Sequence, residues 1–327
     1  MKTTPAWLKP IAAAAFAALA SVASAQQAFP QRTVSIVVPY APGGGHDATA
    51  RVLAERLAAR WGKPVVVENK AGANGMIGAE HVARSGADGH TIMMASPAEI
   101  VIAPSAYKSM RYDPAKDLAP VTLAGVTPLV LAAHPAVKAN TLPEVIELAR
   151  REKGKLSFGT AGAGSSQHLA GEWLNQLAGI DLQHVGYKGA GPAVTDVLGG
   201  QIPFVIVGMA PLAAHIKAGK LKAIAVTTAA RLSFAPDIPT FAEVPALNNF
   251  EVSHWMGVFT TGGTPAPLVQ TISDAIAAVL KEPATSERLR GMGVDPVGNS
   301  PSAFAAYLEQ DRSKFARLFK QAGLTPQ

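Results

Sequence analysis

Short runs rich in valine and isoleucine alternate with segments of helical periodicity along most of the chain. Continuous or alternating apolar runs predict strands, whereas apolar residues spaced by three and four predict amphipathic helices. The predicted strands cover residues 33–39, 64–69, 91–96, 129–133, 156–159, 183–187, 204–207, 221–227 and 252–259. The predicted helices cover residues 48–61, 142–151, 168–177, 193–198, 268–280 and 301–318. This alternation predicts an α/β fold with parallel sheets and helices on their faces.

The number of predicted strands indicates two domains. Nine strands are more than one compact sheet of this length usually carries. Proline-rich segments at 120–128 and 236–245 are the natural crossings between two domains. We therefore expect a discontinuous first domain of residues 26–124 plus 250–327, and an inserted second domain of residues 125–249.

The N-terminus has the pattern of a secretory signal peptide. Lys2 and Lys9 are followed by the apolar run 11–22 and then by Ala23-Ser24-Ala25, a small-residue cleavage site. A membrane anchor is the alternative, but the run is shorter than the roughly 20 residues that a bilayer requires. We expect cleavage after Ala25 and export to the periplasm.

A second apolar stretch, residues 118–137, could be mistaken for a transmembrane helix. Pro120, Pro128 and Pro135 interrupt it, and His134 is polar. Prolines at such positions predict breaks between two buried strands.

Composition excludes several classes of protein. The mature chain is long enough for a large core and exceeds the size at which one core usually divides. Cysteine is absent, which excludes a small disulfide-stapled fold. The mature net charge is +4 once Lys2 and Lys9 are removed, and no basic run reaches five residues. This mild excess favours small anions over nucleic acid as partners.

Two segments share the order strand, glycine-rich loop and amphipathic helix. They read VSIVVPYAPGGGHDATARVLAERL and LSFGTAGAGSSQHLAGEWLNQL, and they are predicted to occupy equivalent places in two similar sheets. In open parallel sheets, ligands bind beyond the carboxyl ends of the strands, where such loops lie. Two domains facing each other would hold a ligand between these loops.

The chemistry of both loops suits an anion. Residues 43–45 are three glycines, which bring bare backbone amides close to a ligand. The helix that follows leaves its first amides unpaired and exposes its positive dipole end. The second loop, residues 160–166, adds one threonine and two serine hydroxyls. A carboxylate fits both loops, and tight strand-to-helix turns without a ligand are the alternative interpretation.

Two side chains of the first loop admit more than one role. Asp47, in the first helical turn, either caps the helix or contacts an amine or hydroxyl of the ligand. His46 would pair with a carboxylate only when it is cationic, and most unperturbed histidines are neutral at pH 7.

A dinucleotide site is the rival hypothesis for the first loop. Gly43-x-Gly45-x-x-Ala48 follows a strand, and Glu68 lies about 20 residues further on, as in the dinucleotide fingerprint. Asp47 would stand close to the pyrophosphate position, and exported proteins rarely meet soluble nicotinamide nucleotides. Both points disfavour this hypothesis.

The remaining motifs favour binding over catalysis. The eight histidines have no HxxxH or HExxH spacing and cysteine is absent, so no metal site is predicted. Ser165 and Ser166 lack the GxSxG context of a nucleophile elbow. We expect neither an enzyme nor a cofactor.

Five motifs, in order, are VPYAPGGGHDATAR, VVVENKAGANGMIGAEHVARSGADGHTI, GTAGAGSSQHLAGEWL, YKGAGPAVTDVLGGQI and FTTGGTPAPLV. They resemble the motifs of the extracytoplasmic solute receptors of tripartite tricarboxylate transporters, the Bug receptor family, over essentially the whole mature chain. The resemblance implies a periplasmic-binding-protein-like fold, with two doubly wound α/β domains joined by crossing strands and a ligand cleft between them. It also implies a non-enzymatic protein that closes on a small organic acid.

The resemblance implies the site residues as well. Both glycine loops would clamp a carboxylate, largely through backbone amides, and later segments would line the rest of the cleft. The residues expected at the ligand are Tyr40, Ala41, Pro42, Gly43, Gly44, Gly45, His46, Asp47, Ala73, Asn74, Gly75, Ser96, Thr160, Ala161, Gly162, Gly164, Ser165, Ser166, Tyr187, Lys188 and Gly189. Lys188 would either complement the charge of the ligand or remain at a solvated rim. Similar sequences more often have a small residue or threonine in place of His46, so a histidine there narrows the pocket or adds a donor.

We therefore expect a monomeric periplasmic receptor that delivers a small carboxylate to the membrane subunits of a tripartite tricarboxylate transporter. A sensor kinase is the alternative partner, and a nicotinamide-dependent oxidoreductase is the less favoured alternative function. Di- and tricarboxylates, acidic amino acids and aromatic acids all carry the group that the loops require.

Overall fold

The computed structural model describes residues 29–232, 234–321 and 326. The predicted signal peptide and its cleavage after Ala25 lie outside these residues. Within them, strands and helices alternate, which confirms the α/β class. No helix in this part of the chain is long and apolar enough to cross a membrane.

Ten strands and ten α-helices make up the described part of the chain. The strands are β1 (Val34–Val38), β2 (Val65–Asn69), β3 (Thr91–Ala95), β4 (Leu118–Ala133), β5 (Ser157–Thr160), β6 (Gln183–Gly186), β7 (Phe204–Gly208), β8 (Lys222–Val226), β9 (Ser253–Thr261) and β10 (Asp295–Pro296). The helices are α1 (Gly45–Trp61), α2 (Met76–Ala83), α3 (Ala103–Ala106), α4 (Leu142–Arg151), α5 (Ser166–Ala178), α6 (Ala190–Leu198), α7 (Ala213–Lys217), α8 (Ala266–Lys281), α9 (Pro283–Gly291) and α10 (Pro301–Gln321). Short 3₁₀ segments lie at Ala73–Gly75, Phe241–Glu243 and Pro245–Leu247, and a π-helical segment lies at Ala98–Ile102.

The strands form two sheets that share β4. The hydrogen-bonded order is β2-β1-β3-β9-β4-β7-β5-β6, and β8 and β10 also pair with β4. Residues 118–128 of β4 pair with β9, whereas residues 129–133 pair with β7 and β8. We call the part built on β1, β2, β3, β9 and β10 the first lobe, and the part built on β5 to β8 the second lobe. The predicted domain boundaries at 124/125 and 249/250 stay predictions.

The expected break at the prolines of residues 118–137 is wrong. Pro120 and Pro128 lie inside the single 16-residue strand β4, where they face Phe259 and Ser253 of β9. The register shifts between Pro120 and Thr122, so an irregularity absorbs the missing donor of the first proline. Proline is tolerated in strands at bulges of this kind.

The two glycine-loop segments occupy equivalent places. In the first lobe, β1 lies between its parallel neighbours β2 and β3. In the second lobe, β5 lies between its parallel neighbours β6 and β7. Both loops therefore leave the carboxyl end of a central parallel strand, as the sequence predicts.

Helix α10 ties the C-terminal segment to the start of β9. Trp255 is fully buried, and its indole Nε1 donates to a carboxylate oxygen of Asp311 at 2.6 Å. Burial raises the pKa of Asp311 to about 6. Phe304 packs edge-on against Trp255 with ring centroids 5.9 Å apart, so the helix is held by both apolar and polar contacts.

Candidate functional site

Both glycine loops start a helix with its N-terminus at the cleft between the lobes. Gly44 caps α1 without a side-chain hydrogen bond, which leaves the first amides of α1 open. The Ser165 hydroxyl caps α5 by accepting from the His168 amide. Gly43 and Gly162 have φ of 86° and 153°, so glycine is required at these two turns.

The two loops meet at a small pocket, which we call the inner chamber. It lies between the lobes and is bordered by both helix N-termini. Its lining residues are Tyr40, Gly44, Gly45, His46, Asp47, Ser96, Thr127, Ala161, Ser165, Gln167, Ala190, Gly208, Ala210, Pro211, His254 and Met256.

Other predicted site residues line a second pocket, which we call the outer chamber. Tyr40 and Ala161 border both chambers. The predicted residues that line only the outer chamber are Ala73, Asn74, Gly75, Gly162, Tyr187 and Lys188. The predicted site residues are therefore distributed over two neighbouring chambers.

The remaining predicted residues border neither chamber. Ala41, Pro42 and Gly43 face a groove on the molecular surface. Thr160 Oγ1 bonds to His184 Nε2 at 2.7 Å, and the Gly164 amide donates to His168 Nδ1 at 3.0 Å. The other two are Ser166, whose hydroxyl bonds to His254 Nδ1 at 2.8 Å, and Gly189, which is buried.

The lobes touch each other around the inner chamber. The Ala41 amide donates to the Lys188 carbonyl oxygen at 2.9 Å. The Tyr107 hydroxyl donates to the Ala163 carbonyl oxygen at 3.4 Å. Backbone atoms of Pro42 and Gly43 lie directly against Gly191. These contacts describe a closed conformation.

Asp47 stabilises the first loop. Its carboxylate accepts from the Gly43 amide at 3.1 Å, from Asn69 at 3.0 Å, and from two nitrogens of Arg51 at 2.9 and 3.0 Å. Burial would raise the pKa of Asp47, but these hydrogen bonds outweigh burial and lower it. The arrangement favours the helix-turn role of Asp47 over contact with the ligand, because its oxygens already have partners.

A buried carboxyl group that the sequence analysis missed lies behind the chamber wall. Glu99 is completely buried and accepts from the Tyr40 hydroxyl at 2.6 Å, and from the Ser96 amide and hydroxyl, both at 2.8 Å. Burial raises the pKa of Glu99 to about 7. Tyr40 and Ser96, which line the chamber, are thus fixed from behind by one carboxyl group.

Two histidines from distant segments meet at the chamber. The rings of His46 and His254 pack edge-to-face with centroids 5.1 Å apart. Burial lowers the pKa of His46 to about 4, although the Trp255 and Ala95 carbonyl groups oppose this. Burial, and next the neighbouring His46, also lower the pKa of His254. Both imidazoles are therefore neutral at pH 7.

Among the described residues that line the inner chamber, two buried side-chain polar atoms have no hydrogen-bond partner. They are Nε2 of His46 and Oε1 of Gln167. His46 is 7% exposed and Gln167 is 3% exposed. An unmet buried polar group costs about 1–3 kcal/mol. A ligand that bonds to these atoms would stabilise the closed form.

The chamber is electrostatically suited to an anion without a cationic side chain. Among the described residues that line it, none is lysine or arginine. Its positive potential comes from the N-termini of α1 and α5. Elsewhere in the described residues, no three His, Cys, Asp or Glu side chains are grouped so as to hold a metal ion.

The position of Glu68 does not support the rival dinucleotide hypothesis. This side chain accepts from the Ser35 hydroxyl at 2.6 Å and does not line the inner chamber. Asp47 occupies the first turn of α1, as the sequence indicates.

Sequence comparison agrees with the resemblance that the five motifs indicate. The family model described as "Tripartite tricarboxylate transporter family receptor" matches residues 49–324. Protein BugT of Bordetella pertussis (strain Tohama I) is 33% identical to this chain, over 94% of this chain and 95% of its own length.

Solved structures share the fold. The periplasmic binding protein BugD is 36% identical, with a TM-score of 0.87, over 91% of this chain and 100% of its own. An R. palustris protein solved with adipate is 31% identical, with a TM-score of 0.88, over 91% of this chain and 100% of its own. MatC from Rhodopseudomonas palustris, with bound malate, is 30% identical, with a TM-score of 0.83, over 89% of this chain and 99% of its own. The periplasmic-binding-protein-like fold predicted from the sequence is confirmed.

Proposed function

The chain belongs to the family of tripartite tricarboxylate transporter receptors, and from that premise we propose that it is a periplasmic receptor for a small organic acid. The acid binds in the inner chamber, and the closed protein delivers it to the membrane subunits of a tripartite tricarboxylate transporter. Export depends on the N-terminal signal peptide.

The observation that carries this proposal is the inner chamber itself. It is enclosed between two lobes, borders two helix N-termini and contains buried polar atoms without partners. Two similar proteins were solved with adipate and with malate, both small organic acids. A small carboxylate satisfies all of these features together.

Backbone amides supply most of the binding free energy. A hydrogen bond from an amide to an ionised oxygen contributes roughly 1.5–3 kcal/mol. At the upper end of this range, four such bonds offset a binding cost of about 4 kcal/mol and leave about 8 kcal/mol, which corresponds to micromolar affinity. Only the closed form brings the amides of both lobes to one ligand, so the ligand shifts the open-closed equilibrium toward closure.

Titration calorimetry on the mature chain with a panel of small carboxylic acids tests the proposal. We expect at least one acid to bind with micromolar affinity and to raise the melting temperature. Nicotinamide nucleotides serve as the control. Stabilisation by the nucleotides and by none of the acids would reject the receptor function.

Delivery is tested separately from binding. Co-purification of the ligand-loaded receptor with the transporter membrane subunits is the expected result. Capture of a sensor kinase in their place would retain the binding function and change the partner.

A further inference from the structure

The buried carboxyl group of Glu99, behind the wall of the inner chamber, narrows the class of acid that the proposed function leaves open. We propose that Glu99, acting through the hydroxyl groups of Tyr40 and Ser96, makes the inner chamber a site for an acid that also carries an ammonium group, that is, an amino acid. The inference rests on the proposed function, because the carboxylate of the same ligand binds at the helix N-termini that border the chamber.

Glu99 is completely buried without a positive charge beside it. Its carboxyl group accepts from the Tyr40 hydroxyl and from the Ser96 amide and hydroxyl, which are all neutral donors. Tyr112 also packs against it and donates to the Glu99 carbonyl oxygen at 2.6 Å. Burial, and next the charge of Glu99, raise the pKa values of Tyr40 and Tyr112, so both tyrosines stay neutral. The ion pairs of the described residues include none to Glu99. Because a buried charge without a partner is costly, a cation in the chamber would stabilise the ionised carboxyl group.

Glu99 also fixes the polarity of the two hydroxyl groups. A hydroxyl has one hydrogen to donate and two lone pairs that accept. The hydrogens of Tyr40 and Ser96 are used within the cluster, because the hydroxyl oxygens lie 2.6 and 2.8 Å from Glu99 Oε2 and 2.6 Å from each other. Both residues line the inner chamber. A ligand there therefore meets hydroxyl oxygens that accept hydrogen bonds while Glu99 is ionised.

The two unpartnered atoms of the chamber are acceptors as well. The hydrogen of the neutral His46 ring lies on Nδ1, because Nε2 has no partner and the carbonyl groups of Trp255 and Ala95 lie beside the ring. Nε2 therefore keeps a free lone pair, and the unpartnered atom of Gln167 is its carbonyl oxygen. The His46 and Tyr40 rings lie 5.2 Å apart, so Nε2 belongs to the same region as the hydroxyl cluster. An ammonium group has three donors and no acceptor, so it supplies what these atoms lack.

The same chamber has donors for carboxylates. The N-termini of α1 and α5 border it, and Ala190, the first residue of α6, lines it. An amino acid carries both complementary groups, and a further carboxylate on its side chain is compatible with three helix starts.

Matched acids that differ in one ammonium group test the proposal. Calorimetry on the mature chain at pH 8 compares L-alanine with propionate, L-aspartate with succinate, and L-glutamate with glutarate. We expect the amino acid of the tightest-binding pair to bind at least about tenfold more tightly than the acid that lacks the ammonium group. A smaller preference in every pair, or binding of other carboxylic acids but of no amino acid, overturns the inference and retains the receptor function. Failure of every acid to bind overturns both.

Glu99→Gln separates the proposed role from a structural one. The glutamine amide donates to the hydroxyl oxygens, which frees a hydroxyl hydrogen for the ligand. The preference for the amino acid should therefore fall below about threefold, while the matched acid binds at least as tightly as to wild type. Glu147→Gln, at an exposed position of α4, is the control and should keep the full preference. Equal weakening of both acids in Glu99→Gln would overturn the role of Glu99.

Proton release gives a second measurement of the same contact. Burial raises the pKa of Glu99 to about 7, so about half of the protein holds this proton at pH 7. An ammonium group favours the ionised form, so calorimetry at pH 7 in phosphate and in imidazole buffer should show release of about half a proton per amino acid bound. Release that is absent in wild type, or that persists in Glu99→Gln, would overturn the proposal. Should Glu99→Gln fail to fold, Tyr40→Phe, which removes one of the two hydroxyls, should lower the preference at least about threefold, and an unchanged preference would overturn the proposal.

Discussion

At the residue scale, the inner chamber depends on buried polar side chains. Local sequence patterns identify some of these side chains and miss others. His46 and Asp47 stand next to the glycine loop, so the sequence singles them out. Glu99 follows a strand within the apolar run SPAEIVI, where a lone carboxyl group is the available signal. Gln167 and His254 carry no local signal, because their role depends on a contact across 87 positions of the chain.

Glu99→Gln is expected to remove a pH-dependent loss of stability. Because burial raises the pKa of Glu99 to about 7, the folded protein holds this proton more tightly than the unfolded chain, whose glutamate titrates near about 4.3. The resulting stability is fully present below about pH 4 and is lost as the pH rises through about 7. The loss amounts to about 4 kcal/mol in the free energy of unfolding.

Urea unfolding of wild type and Glu99→Gln at pH 5 and pH 8 measures this pH-dependent loss in the free energy of unfolding. The variant should gain stability relative to wild type as the pH rises. Glu147→Gln, at an exposed position of α4, is the control and should follow wild type. Parallel behaviour of wild type and Glu99→Gln would show that Glu99 ionises as freely in the folded protein as in the unfolded chain.

At the element scale, the site lies where loops lead into helices. Each of these loops packs against a segment of the other lobe. The loop after β1 faces α6, and the loop after β5 faces the segment that follows β2. Most of these elements follow from their own sequences, because helical periodicity and glycine turns are local. Helices α2, α3, α7 and α9 and strand β10 were not predicted, because they are short or weakly periodic.

Gly191→Ala is expected to weaken acid binding by at least about tenfold, or about 1.4 kcal/mol. A Cβ at this position of α6 would run into the Pro42 carbonyl oxygen of the other lobe. The open form avoids the clash, and alanine favours a helix, so the ligand-free melting temperature should not fall. The substitution therefore acts on closure.

Calorimetry with any acid that binds wild type checks this prediction, together with melting of the ligand-free variant. Gly199→Ala, at the other end of the same helix, is the matched control, because its Cβ would approach only the Thr195 and Asp196 carbonyl groups and Gln201. Wild-type affinity in Gly191→Ala would mean that binding does not require this approach of the lobes.

At the scale of the whole molecule, β4 and the start of β9 connect the two lobes. Residues 118–128 of β4 belong to one sheet, and residues 129–133 belong to the other. The Val252 amide donates to the Thr227 carbonyl oxygen of the second lobe at 3.1 Å, just before β9 enters the first lobe. We therefore expect the lobes to rotate about these connections when the inner chamber opens.

Small-angle X-ray scattering should therefore show a smaller radius of gyration for the mature chain when an acid is present at saturation. The physical reason is that the ligand stabilises the closed form selectively. Gly191→Ala should compact less under the same saturation. Identical scattering of wild type with and without bound acid would contradict a ligand-driven closure.

The sequence by itself determined the α/β alternation, the two glycine-rich loops that each lead from a strand into a helix, and the family resemblance. These features depend on local periodicity, on glycine turns and on the unpaired amides at a helix start, all of which lie within short segments. The domain boundaries and the roles of the predicted site residues remain predictions.

Only the tertiary structure decided how these pieces combine. It joined residues 118–133 into one strand through the prolines, because a register shift against β9 absorbs a missing donor. It distributed the predicted site residues over two chambers, both of which Tyr40 and Ala161 line. It also placed Glu99 behind Tyr40 and His254 against Ser166. Contacts between residues so distant in the chain follow from packing, which no local pattern encodes.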